Sequence, residues 1–228
     1  MKKIIKKISI FIILAISGFV IVSLIVASLF SDKIEKSVIK NITNNIKSKI
    51  EIGDVSFKLF EDFPYSAVKI SNLYIQESSN FGQDTLIFTK HAYVKFSLFD
   101  MLSENIFINN ITLNNGLVSV KYNGNNNNYN VFNNSKEGSI RLNHVILNNT
   151  QFRYRKTQNK TKIIIDLKNI FIKKSDTNQL EIFGKAYSQK FEIFNKDYIN
   201  NKELDLKLKI RNNDKNLVLG KSSIEIND

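Results

Sequence analysis

The side chains able to do chemistry are few, and their spacing does not suit it. His91 and His144 are the only histidines and there is no cysteine. With no His-Glu-x-x-His and no paired-ligand spacing, no metal site is expected. Both histidines fall in alternating segments and read as structural or surface residues. Gly220-Lys221-Ser222 ends like a phosphate loop, but Lys215 occupies the first glycine position and no glycine-rich cradle precedes it. Ser37-Val38-Ile39-Lys40 has Ser-x-x-Lys spacing without its partner motifs. No Gly-x-Ser-x-Gly elbow is present, and Glu61 and Asp62 have no complementary acid–base partner. The chain is expected to be non-enzymatic, with no catalytic, cofactor or metal residues.

The elements that would position any site begin with an apolar run. Ile8 to Phe30 holds no charge and follows Lys2, Lys3, Lys6 and Lys7. About 23 residues at a rise of about 1.5 Å reach roughly 34 Å, enough for a hydrocarbon core of about 30 Å. Residues 1–30 are therefore read as a basic start and a transmembrane anchor, with Ile8, Phe11, Leu14, Phe19, Leu24 and Phe30 facing lipid. The competing reading is a cleaved signal with Val26-Ala27-Ser28 as its site. The run is longer than the roughly 7–15 residues of a signal's apolar core, which favours an uncleaved anchor. The leading lysines place the N-terminus in the cytoplasm and the following domain across the membrane. Without a cysteine there is no lipoprotein attachment site.

Residues 31–49 read as an amphipathic helix. Ile34, Val38, Ile42, Ile46 and Ile50 recur every four residues, and Ser31 and Asp32 are good N-caps. The stripe can pack on the sheet that follows or lie on a membrane surface. From Ile50 the period becomes two, predicting an antiparallel sheet over residues 50–228 with one apolar and one wet face. Its predicted strands run through Val68 to Ile75, Leu86 to Leu98, Ile106 to Leu113 and Leu117 to Tyr122. Further strands are predicted over Ile140 to Tyr154, Lys162 to Ile172, Leu180 to Ile193, Leu204 to Ile210 and Leu217 to Ile226. Phe60 to Tyr65 reads as a loop around Pro64, the only proline, and Asn123 to Asn130 as a polar turn.

A weak repeat runs through the strands: apolar, any, Asn or His, apolar, any, apolar. It occurs at Ile70–Ile75, Ile108–Leu113, Leu142–Leu147 and Leu167–Ile172. One extra residue per copy, as in a β-bulge, returns the apolar side chains to one face. The net charge of +12 gives a basic surface that suits nucleic acid, anionic lipid headgroups or plain solubility. Behind a membrane anchor, anionic lipid ranks above nucleic acid, and the lysines are spread along the chain.

Residues 1–132 resemble the N-terminal region of AsmA-like proteins of Gram-negative bacteria, particularly the Bacteroidetes-type branch. After the basic start and the two helices, Glu51 to Ile75 (EIGDVSFKLFEDFPYSAVKISNLYI) is similar to that family's opening motif. Asp84-Thr85-Leu86 and Val94 to Leu102 are similar to its next segment, and Gly124 with Asn128-Tyr129-Asn130 to its D-G-x-x-N-W turn. Tyr129 stands where Trp is usual, and Gly116 where Pro is common. Members are usually longer, so the chain reads as a truncated copy, a degenerate relative or part of a split gene.

The resemblance implies an inner-membrane-anchored periplasmic protein related to bridge-like lipid-transfer proteins. There a curved β-groove carries lipid tails, phospholipid above all, in outer-membrane biogenesis and envelope lipid homeostasis. The groove-facing residues would be Val68, Ile70, Leu73, Ile75, Val94, Phe96, Leu98, Ile108, Ile111, Leu113, Val118 and Val120. Alternation alone allows a closed sandwich core just as well. A membrane-tethered scaffold for envelope protein partners is the other reading.

Overall fold

The computed structural model describes residues 10, 12–14, 17, 18, 21, 25, 31–40, 42–62, 65–97, 108–131, 143–175, 179–213 and 216–227. Among the described residues no helix is long and apolar enough to cross a membrane. Of the expected anchor residues, Leu14 is helical with its side chain exposed. Ile8, Phe11, Phe19, Leu24 and Phe30 lie outside the described residues.

Residues 31–40 and 42–44 form helix α1, shorter than the predicted 31–49. Asn44-Asn45 ends it, as residues whose short amides compete with helical hydrogen bonds. Lys47 N then donates to Val131 O (2.6 Å), carrying the chain toward the sheet.

The rest is mainly β. The strands are β1 (Ile50–Glu51), β2 (Val55–Asp62), β3 (Tyr65–Gln76), β4 (Thr85–Ser97), β5 (Ile108–Asn123), β6 (Asn126–Asn127) and β7 (His144–Lys156). They continue as β8 (Thr161–Lys174), β9 (Gln179–Ile193), β10 (Lys196–Asp197), β11 (Lys202–Asn213), β12 (Asn216–Leu219) and β13 (Ser223–Asn227). All join one sheet in the order β1-β3-β4-β5-β7-β8-β9-β11-β12. β2 lies beside β1 on β3, β13 lies beside β12 on β11, and β6 and β10 are short additions to β5 and β9.

Three expectations are corrected. The sheet is mixed and not wholly antiparallel, because β5 and β7 pair in parallel from Asn110↔His144 to Tyr122↔Lys156. A parallel pair needs a crossover of a dozen residues or more, and residues 124–143 provide that length. The predicted loop at Phe60 is strand through Asp62, which pairs with Tyr65. The predicted final strand is also divided. β12 and β13 are interrupted at Gly220-Lys221-Ser222, where Gly220 N donates to Lys209 O and Lys209 N to Ser222 Oγ. The triplet that ends like a phosphate loop is thus a break in a strand.

The pairing is interrupted inside three copies of the repeat, but only Asn109 and Lys168 are extra residues that shift the register. Asn72 and Asn109 each interrupt the pairing within their copies, and Lys168 does so between Leu167 and Asn169. Leu142, which opens the remaining copy, lies outside the described residues. Asn115 and Asn149 supply two more interruptions. Asn72, Asn115 and Asn149 have φ of 51°, 56° and 45°, the left-handed region that Asn tolerates best after glycine.

These positions fall in line across the sheet. Asn72 faces Lys90, Lys90 faces Asn115, Asn115 faces Asn149, and Asn149 faces Lys168, between flanking pairs that keep register. With register kept on both sides these are not bulges: the alternation of faces resets in β3, β4, β5, β7 and β8 along one line, a crease across the sheet.

Candidate functional site: an apolar sheet face

Cross-strand partners share a face, so the register assigns sides directly. Val68↔Val94↔Ile111↔Val145↔Ile172↔Ile182↔Leu208 is one row. Thr89↔Gly116↔Thr150↔Leu167↔Ala186↔Leu204↔Ile226 is another, on the far side of the crease. Ile75↔Ile87↔Val118↔Phe152↔Ile165 is a third. The apolar face therefore continues from β3 to β13. Those eight strands, with seven spacings of about 4.8 Å, carry it over roughly 34 Å.

All the predicted face residues whose side chains are described lie on this one side: Val68, Ile70, Leu73, Ile75, Val94, Phe96, Ile108, Ile111, Leu113, Val118 and Val120. Leu98 lies outside the described residues. Their surroundings differ. Val68, Ile70, Leu73, Ile75, Val94 and Phe96 are buried with Ile34 and Val38 of α1, and Ile42 and Ile46 pack against the same cluster. The helix stripe thus covers the sheet at this end, and Glu35 Oε1 accepts a hydrogen bond from Phe57 N (2.7 Å). Ile111, Val118 and Val120 are only half-buried.

Beyond β5 the sequence reading stopped short. Val145, Leu147, Phe152, Ile163, Ile165 and Ile172 extend the half-buried face. The same two-residue alternation marks them in the sequence.

No second layer covers this stretch among the described residues. Every substantial contact between strands is between hydrogen-bonded neighbours. Leu167, Ile170, Ala186, Leu204 and Leu206 are nonetheless buried, and among the described residues only Ile199 reaches them from outside the strands. Their cover comes from neighbouring side chains of the same face. Small residues deepen the face along the crease, since Thr89, Ala92, Gly116, Thr150, Gly184 and Ala186 occupy its two central rows.

The threonines bring no unpaired hydroxyl to the face. Thr89 Oγ1 donates to His91 O (3.0 Å) or Asn114 O (2.9 Å), and Thr150 Oγ1 to Asn148 O (3.0 Å). At the far edge the face opens to solvent, with Leu219 64%, Ile224 51% and Ile226 49% exposed.

The opposite face is polar along the crease. Asn148 Nδ2 donates to Asn114 Oδ1 (2.9 Å), beside His91 and Asn169 in the same row. His144 Nδ1 lies 3.1 Å from Asn110 Oδ1, so both histidines are strand residues of this polar side.

Two segments singled out by the resemblance meet in a buried network. Glu77 is 2% exposed and Asn128 0%. Asn128 Nδ2 donates to Ser119 O (2.9 Å) and Glu77 Oε2 (3.2 Å), and Lys121 N donates to Asn128 Oδ1 (2.8 Å). Lys121 Nζ joins Glu77 (3.0 Å) to Asp84 (2.6 Å). The hydrogen bond from Lys121, then its charge, holds the Asp84 carboxyl below its ordinary value. Every polar group here is partnered, so the network is a clasp that ties the β3–β4 connection to the β5–β6 turn. Sequence reasoning missed Glu77 and Lys121.

At the rim of the apolar face, Tyr122 meets Tyr129 edge-on and Tyr154 at a tilt, with centroids 5.7 and 5.8 Å apart. The Tyr122 and Tyr129 hydroxyls are hydrogen-bonded. That bond, then burial and neighbouring phenols, pushes Tyr122 from 10.0 up to about 12. The unfolded chain would ionise first, so this stabilisation is whole below pH 10 and is lost between pH 10 and about 12. Tyr122→Phe is expected to flatten the fall of the urea midpoint across that window. An unchanged slope would mean that another group governs it.

A scan against protein-family models and a search of curated proteins both return no match. The reading of function therefore rests on the face itself.

Proposed function

We propose that this is an inner-membrane-anchored, AsmA-like protein of the periplasm that binds phospholipid on its apolar sheet face and guides the tails along it. It is non-enzymatic and serves outer-membrane biogenesis or envelope lipid homeostasis. One observation carries the reading: beyond the end covered by α1 the apolar face runs on across the sheet with no second layer upon it among the described residues. Acyl chains crossing water need such a surface, worth about 25 cal/mol for each Å² kept dry. The crease gives that surface depth, and the rim tyrosines suit the boundary between tails and headgroups.

The run from Ile8 to Phe30 supplies the anchor, with the N-terminus in the cytoplasm. A reporter fused after Asp228 would then be active only in the periplasm. About 34 Å of face is short for an envelope, so other proteins would continue the path.

The second reading is a tethered scaffold for envelope proteins. Its support is that six of the expected groove residues form a closed core under α1, and that β12 and β13 offer a sheet edge for strand addition.

The test is photo-crosslinking in cells labelled with radioactive phosphate. A benzophenone side chain at Phe152 or Ile165, on the apolar face, is expected to capture phospholipid. One at Phe183, exposed on the opposite face, is not. Protein adducts from Phe152 with no lipid would favour the scaffold.

A further inference from the structure

We propose that the polar face carries a binding site for a phosphate group, formed where β5, β7 and β8 lie side by side. Lys121 pairs with Arg155, and Arg155 with Lys162, so three cations stand directly opposite one another on successive strands. Arg153, two residues before Arg155, joins them on the same face. Like charges in cross-strand register destabilise a sheet unless something neutralises them.

The acids nearby are already engaged. Glu77 and Asp84 both serve Lys121. Glu192, opposite Lys162, is ion-paired with Lys190 at 2.6 Å. Arg153 Nε donates to the neutral Gln151 (2.6 Å).

Among the described residues no carboxylate lies within ion-pair distance of Arg153, Arg155 or Lys162. Together with Lys121, Asp84, Leu117 and Ile164 they line a cavity of about 370 Å³. The cavity offers two guanidinium groups able to bind a phosphate in bidentate fashion, with a lysine beside them. Three uncompensated cations suit a phosphate ester better than a single carboxylate. The shared chemistry is that of a phospholipid headgroup and of free phosphate. The site lies opposite the apolar face and does not depend on what that face holds.

The test is calorimetry on the full chain in maltoside detergent at low salt, with dihexanoyl phosphatidylglycerol and with inorganic phosphate. The double variant Arg155→Gln/Lys162→Gln is expected to weaken binding at least tenfold. Lys185→Gln/Lys207→Gln removes the same charge from the same face of β9 and β11 and is expected to stay within twofold. Tighter binding of the phosphatidylglycerol identifies a headgroup site. Binding of phosphate alone, lost in the first variant, identifies a free-phosphate site. Equal losses in both variants would reduce the effect to net charge and overturn the proposal, as would no binding of either probe by the native chain.

Discussion

Gly184→Ala is expected to cost about 4 kcal/mol or to prevent folding altogether. Gly184 has a φ of 138°, outside the range of L residues, and the added Cβ would sit 1.9 Å from Asn169 O. The next atoms it would meet are Asn169 C and Ile170 Cα, at 3.0 and 3.1 Å. All are backbone of β8, the last strand of the crease, so no side chain can turn aside. Gly124→Ala is the comparison. Its φ of 63° is strained, but its nearest neighbour is Gln158 Nε2 at 3.6 Å. It should lose only about 1 kcal/mol. Urea midpoints of the two variants measure the difference. Equal shifts would mean that close approach of β9 to the end of the crease does not hold the sheet together.

Asn128→Ala should lower stability by about 3 kcal/mol. The amide satisfies Ser119 O, Lys121 N and Glu77, and alanine strands the first two and takes one donor from the buried Glu77, which keeps Lys121. Asn128→Asp keeps the shape but removes both donors and sets a second carboxylate against Glu77, so it should be at least as harmful. Asn126→Ala, exposed in the same turn, should stay within about 0.5 kcal/mol. If Asn128→Asp is tolerated, Asn128 is a turn residue and not the centre of the clasp.

The alternation in the sequence was enough to sort inward from outward side chains. Every described member of the expected set, from Val68 to Val120, shares one side because a strand has no other way to hide a period-two stripe. Strand direction was not legible, since alternation reads the same in either sense. The length of residues 124–143 held the clue to the parallel β5–β7 pair.

The isoleucine stripe of α1 was plain, but whether it meets a membrane or a sheet depends on partners 30 or more residues away. The buried Glu77 reads locally as a loop acid, because Asn128, which satisfies it, is 51 residues distant. Asn72 could be placed as a break in the alternation from the repeat. Asn115 and Asn149 could not, because Asn is so frequent here that two more in a row carry no signal. Their neighbours Gly116 and Thr150 complete the crease only once the strands are aligned.

The order of strands along the sheet follows the order along the chain, and each touches only those beside it. Such a molecule behaves less like a single cooperative globule than like a short one-dimensional lattice with nearest-neighbour coupling. The end under α1 is sealed, whereas among the described residues β12 and β13 are held by β11 alone. Amide exchange should therefore run as a gradient, fastest at β13 and slowest in β3 and β4, as strands peel away from the free edge. The edge that frays is also the one where the apolar face is barest, so a visitor could be admitted there by a brief opening of the last strands.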